Sequence, residues 1–116
     1  MAIAETTMFV PKRDFVFVKE NHGLVKIPFD SIVYVESCEN YVVIHTKDIK
    51  KSIIRSTFSD FLAQLPPEKF CRAHRSYAIQ TDLVDNIQYL ELTILGQKVP
   101  IGKQYRGGLL IRLGIR

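Results

Sequence analysis

The chain has 116 residues, 47% of them hydrophobic and 24% charged, which is enough for one domain with its own core and makes no case for global disorder. Sixteen Lys plus Arg against twelve Asp plus Glu leave a net +4, and from Leu92 to Arg116 there are five basic residues and no acid, an asymmetry that suits a polyanion partner as well as a solvated tail. No apolar run approaches the roughly 18 residues of a membrane span, residues 1–10 lack a secretory layout, and Cys38 and Cys71 form no disulfide framework, so both read as free thiols in a reducing cytoplasm.

Residues 1–13 read as a leader or linker remnant, and the domain proper is expected over residues 14–116. Asp14 to Lys19 is a dense aromatic and β-branched run. Asn21-His22-Gly23 suits a turn, and Leu24 to Ile27 answers as the second strand of a hairpin that Pro28 ends. Ile32 to Glu36 and Tyr41 to Thr46 form the next pair around a polar loop, Ser37 to Asn40. Lys47-Asp48 turns the chain into Ser52 to Arg55.

Phe58, Phe61, Leu62 and Leu65 then fall at i, i+3, i+4 and i+7, one face of a helix. Thr57 is its candidate N-cap, Asp60 the return arm of a capping box, and Pro66-Pro67 its stop. Strands resume at Phe70 to Arg72, Tyr77 to Ile79, Val84 to Gln88, Glu91 to Leu95 and Lys98 to Ile101. The tail from Lys103 reads as a loop followed by a frayed helix with Tyr105, Leu109 and Leu113 on one side. Gly107-Gly108 weakens it, because each glycine costs about 1 kcal/mol in a helix interior. About nine short strands with one short helix, over about residues 57–65, predict a mainly β domain of antiparallel sheets. No βαβ alternation and no Gly-rich phosphate loop is present.

The residues give little to catalysis or metals. His22, His45 and His74 supply no paired zinc-ligand spacing with Cys38 and Cys71. A Cys–His dyad would lack an orienting group and an oxyanion hole. The expectation is a protein that is not an enzyme and carries no cofactor, no metal and no small-molecule substrate.

Two basic segments carry more. In Arg72-Ala73-His74-Arg75-Ser76, cationic donors precede a hydroxyl, the groups that phosphate oxygens accept from. The alternative there is that Arg72 pairs with a local acid while His74 bonds internally to fix a turn. In Lys98 to Arg106 a short strand leads to Lys103, Gln104 and Arg106, with Gly102 permitting close approach. Lys can donate to guanine O6 and N7, and Gln can bond adenine in bidentate fashion.

Together these segments resemble the LytTR family of DNA-binding domains, most often the output domains of bacterial response regulators of the LytR/AlgR type in two-component systems. The resemblance covers about nine-tenths of the chain. It runs from Phe15-Val16-Phe17-Val18-Lys19 through Ile32-Val33-Tyr34-Val35-Glu36, Asn40-Tyr41-Val42 and Arg55-Ser56-Thr57-Phe58. It continues at the central signature Phe70 to Tyr77 and the closing Val99-Pro100-Ile101-Gly102-Lys103.

The resemblance implies an elongated stack of antiparallel sheets that docks loops into successive major grooves of double-stranded DNA. It places Asn40, Arg75 and Lys103 on base edges, and Arg55, Ser56, Thr57, Arg72, Gln104 and Arg106 on the DNA backbone. It further implies a cytoplasmic, sequence-specific transcription regulator acting on promoter direct repeats, with pairing as a homodimer on DNA. The chain departs from the family in Gly102, where Ser is common, and in Lys103, where Arg is frequent and would supply a planar fork instead of a point charge. It also lacks the Asn usual just after the central signature, within Ala78 to Thr81. Competing readings are a single-stranded or RNA-binding β module that stacks bases on Tyr41, Tyr77 or Tyr105, and a protein-interaction domain.

Overall fold

The computed structural model describes residues 13–115. The leader expected over residues 1–13 therefore lies, Arg13 apart, outside the described residues. β1 (Phe15–Glu20) and β2 (Gly23–Pro28) form the expected hairpin, with Glu20 opposite Gly23. Asn21 opens the two-residue turn at φ 55°, a conformation that Asn tolerates better than most residues. The strict alternation in β1 puts Val16 and Val18 inside while Phe17 stays outside.

Five strands make the central sheet, in the order β5 (Lys51–Arg55), β4 (Tyr41–Thr46), β3 (Ile32–Cys38), β7 (Tyr77–Gln80) and β6 (Phe70–His74). A second sheet holds β10 (Gln97–Pro100), β9 (Glu91–Ile94) and β8 (Val84–Ile87). All pairings are antiparallel, and the extents are 53 × 36 × 24 Å. The fold class expected from the sequence is the one observed.

The central sheet is covered on both faces, because alternate residues of its strands serve two cores. Val35, Val42, Ile44, Ile54 and Ala78 pack against the β1–β2 hairpin and against Phe58, Phe61 and Leu65. Val33, Tyr34, Ala73 and Ile79 pack on the other side against Leu92, Ile94, Val99 and Leu109. Gln80, the buried polar residue among these elements, donates to the carbonyl of Ile32 at 2.7 Å. It also reaches that of Phe29 at 3.4 Å, so it ties β7 to the end of the hairpin.

Helix α1 (Phe58–Leu62) is capped as expected: Thr57 Oγ1 accepts from the amide of Asp60 at 3.1 Å. It is shorter than the expected 57–65, because the chain tightens after Leu62. The amides of Gln64 and Leu65 bond back three residues, to Phe61 and Leu62, a common way for a helix to end ahead of prolines.

The tail, expected to begin as a loop and continue as a frayed helix, is helical from Lys103 onward. This helix, α2 (Lys103–Arg112), has ten residues. Gly107 and Gly108 disfavour it locally, but Leu109 is fully buried in the second core, a gain of about 1.5–3 kcal/mol. Arg112 also donates to the carbonyl of Pro67 at 2.6 Å. The helix closes on Gly114 at φ 77°, with the Ile115 amide reaching the carbonyl of Leu110 at 2.8 Å. That is the left-handed glycine stop.

Candidate nucleic-acid interface

Three main-chain hydrogen bonds assemble one end of the central sheet. Cys38 pairs with Tyr41, so Glu39 and Asn40 alone form the β3–β4 turn, with Glu39 at φ 55°. Tyr41 lies opposite Arg55, and the Ser56 amide donates to the carbonyl of Asn40 at 3.1 Å. The Ser37 amide donates to the carbonyl of Ser76 at 2.8 Å, which sets the Arg75–Ser76 turn beside the β3 end. The Gly102 amide then donates to the carbonyl of Ala73 at 2.8 Å and delivers the start of α2 to the same edge.

The result is a rim that carries Asn40, Arg55, Arg75, Lys103 and Gln104, all exposed. Among the described residues, no side-chain hydrogen bond or ion pair engages Asn40, Arg55, Arg75 or Lys103. Glu39, at the tip beside Asn40, is the acid of the turn. From β5 to β6 the sheet spans four strand spacings, about 19 Å. That exceeds the width of one major groove, about 12 Å, so turns at the two ends of the rim would meet different stretches of a duplex.

The other expected contacts divide. Thr57 Oγ1 accepts the Asp60 amide, which leaves its own O–H free to donate. Ser56 Oγ already donates to the Thr57 carbonyl at 2.8 Å. Arg106 donates from Nε to the carbonyl of Tyr89 at 2.7 Å and lies over the ring of Tyr89, 5.0 Å from its centroid. Tyr89 is itself 65% exposed and joins the rim region through this pairing. Sequence reading missed it, and a lone Tyr in Gln88-Tyr89-Leu90 gave no periodic signal.

Arg72 turns inward. Its Nε donates to the carbonyl of His74 at 3.3 Å and its Nη2 to that of Arg75 at 2.5 Å. Its guanidinium lies 4.7 Å from the ring centroid of Phe58 on α1 and 5.5 Å from that of Tyr105 on α2. The alternative reading gave Arg72 a local acid as its partner, and main-chain carbonyls take that place. His74 Nδ1 accepts the Ser76 amide at 3.1 Å, which fixes that turn from within. Of the tyrosines considered for stacking, Tyr77 donates to Glu36 Oε2 at 3.2 Å and Tyr105 lies beneath Arg72. Tyr41 alone of the three is exposed.

Among the described residues no group of three or more His, Cys, Asp or Glu side chains is placed to hold a metal ion. No helix among them is long and apolar enough to cross a membrane.

Fold and rim together define a mainly β domain with exposed polar and cationic turns gathered at one end of its central sheet. The LytTr DNA-binding domain family matches residues 22–113, and the chain belongs to that family. It is 22% identical over 99 residues to the transcriptional regulatory protein YpdB of Escherichia coli K12, covering 79% of this chain and 40% of that protein. YpdB of Shigella flexneri matches to the same extent. The chain thus spans about two-fifths of the length of these curated relatives. Among solved structures, it is similar to the LytTr DNA-binding domain of a Bacillus cereus protein described as a methyl-accepting/DNA response regulator. The TM-score is 0.76 at 21% identity, over 90% of this chain and all of that one.

Proposed function

We propose that the chain is the DNA-reading part of a cytoplasmic transcription regulator and recognises specific duplex sequences through its rim. Asn40, Arg75 and Lys103 read base edges in successive major grooves, where amide and ammonium donors meet base acceptors. Arg55, Ser56, Thr57, Gln104 and Arg106 hold the sugar–phosphate backbone and fix register. Arg72 acts one step back, by setting the turn that carries Arg75. Two protomers occupy direct repeats in a promoter, and the rest of a response regulator supplies the signal. The domain performs no catalysis.

One observation carries this reading: main-chain bonds in series bring free polar and cationic side chains from four separate segments to one edge. A duplex is favoured over a single strand because two of the three candidate stacking tyrosines are engaged internally. Selection of bound duplexes from a random pool tests the proposal. The intact chain should enrich a defined motif, and Asn40→Ala or Lys103→Ala should each blur part of it. Enrichment without a motif, or the same motif from both variants, would contradict the assignment.

A further inference from the structure

At the far end of the same strands, five residues or about 17 Å from the rim, two turns face each other across a cleft of about 290 Å³. One is the β4–β5 turn with Ile49 and the other the β9–β10 turn with Leu95. Its floor is tied together: His45 Nε2 meets Glu36 Oε1 at 2.7 Å, and the Tyr34 ring stacks on His45 at 4.1 Å.

Ile49 and Leu95 are both left-handed, at φ 66° and 45°. Each turn would be better served by Gly or Asn at that position, and a β-branched residue there is a genuine outlier. Burial does not explain them, since Ile49 is 89% and Leu95 46% exposed. Local strain without a packing gain is a signature of a functional surface. Lys47, Lys50 and Lys51 line the same cleft. The neighbouring Asp48 is turned to Thr46 Oγ1 at 2.5 Å and to the Lys50 amide at 3.2 Å.

We infer that this cleft docks an acidic protein segment that inserts one bulky apolar side chain between Ile49 and Leu95. The volume lies just under the range usual for ligand pockets, about 300–1,000 Å³, and suits one side chain better than a cofactor. An aliphatic pair ringed by three lysines complements an apolar anchor flanked by carboxylates. The surface lies apart from the rim, so a partner bound here would leave DNA accessible.

The test is a titration of the isotope-labelled 116-residue chain, followed by amide shifts, with acetyl-Glu-Glu-Phe-Glu-amide. The lysine counterpart and a probe with Gly in place of Phe serve as controls. Shifts should centre on Ile49, Leu95 and His45, and only the acidic, Phe-containing probe should produce them. Ile49→Gly, and separately the pair Lys50→Glu with Lys51→Glu, should weaken that probe at least fivefold. DNA affinity should stay within twofold in Ile49→Gly and in the lysine pair, and the thermal midpoint of Ile49→Gly should not fall. No shifts at millimolar probe, equal response to the basic probe, or shifts at the rim would overturn the inference. So would a lysine pair that loses DNA affinity, which would assign these lysines to the duplex, or an Ile49→Gly chain that unfolds earlier.

Discussion

Arg72 Nη2 donates to the main-chain carbonyl of Arg75 at 2.5 Å, so one arginine of the central signature holds the turn that presents the other. Arg72→Ala removes two charge-assisted bonds and two ring contacts, and should cost about 1–3 kcal/mol of stability in chemical denaturation. Arg72→Lys should recover little, because an ammonium cannot copy the planar fork. The salt dependence of DNA binding separates this role from a phosphate contact. Arg72→Ala should weaken binding while leaving the slope of log K against log salt unchanged. A slope lower by about one would assign Arg72 to a phosphate instead.

Base-reading and backbone residues should differ in kind. Asn40→Ala and Lys103→Ala should each lower discrimination against a substituted base pair by about 1–3 kcal/mol, with affinity for non-specific duplex nearly kept. Arg55→Ala should weaken all duplexes alike and reduce the salt slope by about one. Parallel titrations on cognate and scrambled duplexes decide it, and a selective loss in Arg55→Ala would reverse the assignment.

Gly102 is the N-cap of α2, at φ −80° and ψ 140°, and supplies no side-chain cap. A Cβ there would sit 3.2 Å from the Tyr105 ring and 3.5 Å from the His74 Cα. Ala and Ser meet that crowding equally, and only Ser adds a hydroxyl for the free amides of the first turn. Gly102→Ser should therefore be more stable than Gly102→Ala by about 0.5–2 kcal/mol in thermal unfolding. Equal stability would mean that main-chain bonds, from Gly102 to Ala73 and from Tyr105 to Gly102, suffice to hold the helix start.

The two thiols should react differently. Cys38 is exposed at the rim, whereas Cys71 is half-buried, and burial pushes the Cys71 thiol up, with Arg112 opposing only in part. A raised thiol pKa leaves less thiolate at neutral pH. A chromogenic disulfide reagent at pH 7.5 should titrate one thiol quickly and the second more slowly, and duplex DNA should slow the first. Two thiols of equal rate would contradict the burial of Cys71.

Much of this molecule is legible in its residues. Val16 and Val18 against Phe17, or Val42 and Ile44 against Tyr41, alternate so regularly that strands, faces and turns follow from a period of two. Thr57 and the Phe58–Leu65 spacing likewise announce a helix. The start of α2 does not, because Gly107-Gly108 obscures it and its stability comes from Leu109 entering a core built by β9 and β10.

At the rim, Arg75 and Lys103 stand out within local basic segments, whereas Asn40, in a polar turn, is singled out only by the family resemblance. The inward turn of Arg72 is not legible locally, since Phe58 and Tyr105 meet it from elements far away in sequence. Ile49 and Leu95 also escaped notice, because a left-handed backbone leaves no mark in residue type when the side chain is not the one the turn prefers.

The central claim, that the rim reads duplex DNA, is tested most directly by competition. The chain, bound to a labelled duplex carrying its selected motif, is challenged with the unlabelled duplex, its single strands and a scrambled duplex across a range of salt. The cognate duplex should displace the label at least a hundredfold better than the single strands. Its log K should fall linearly with log salt, with a slope that reflects several phosphate contacts. Single strands competing as well as the duplex, or binding indifferent to salt, would contradict the account.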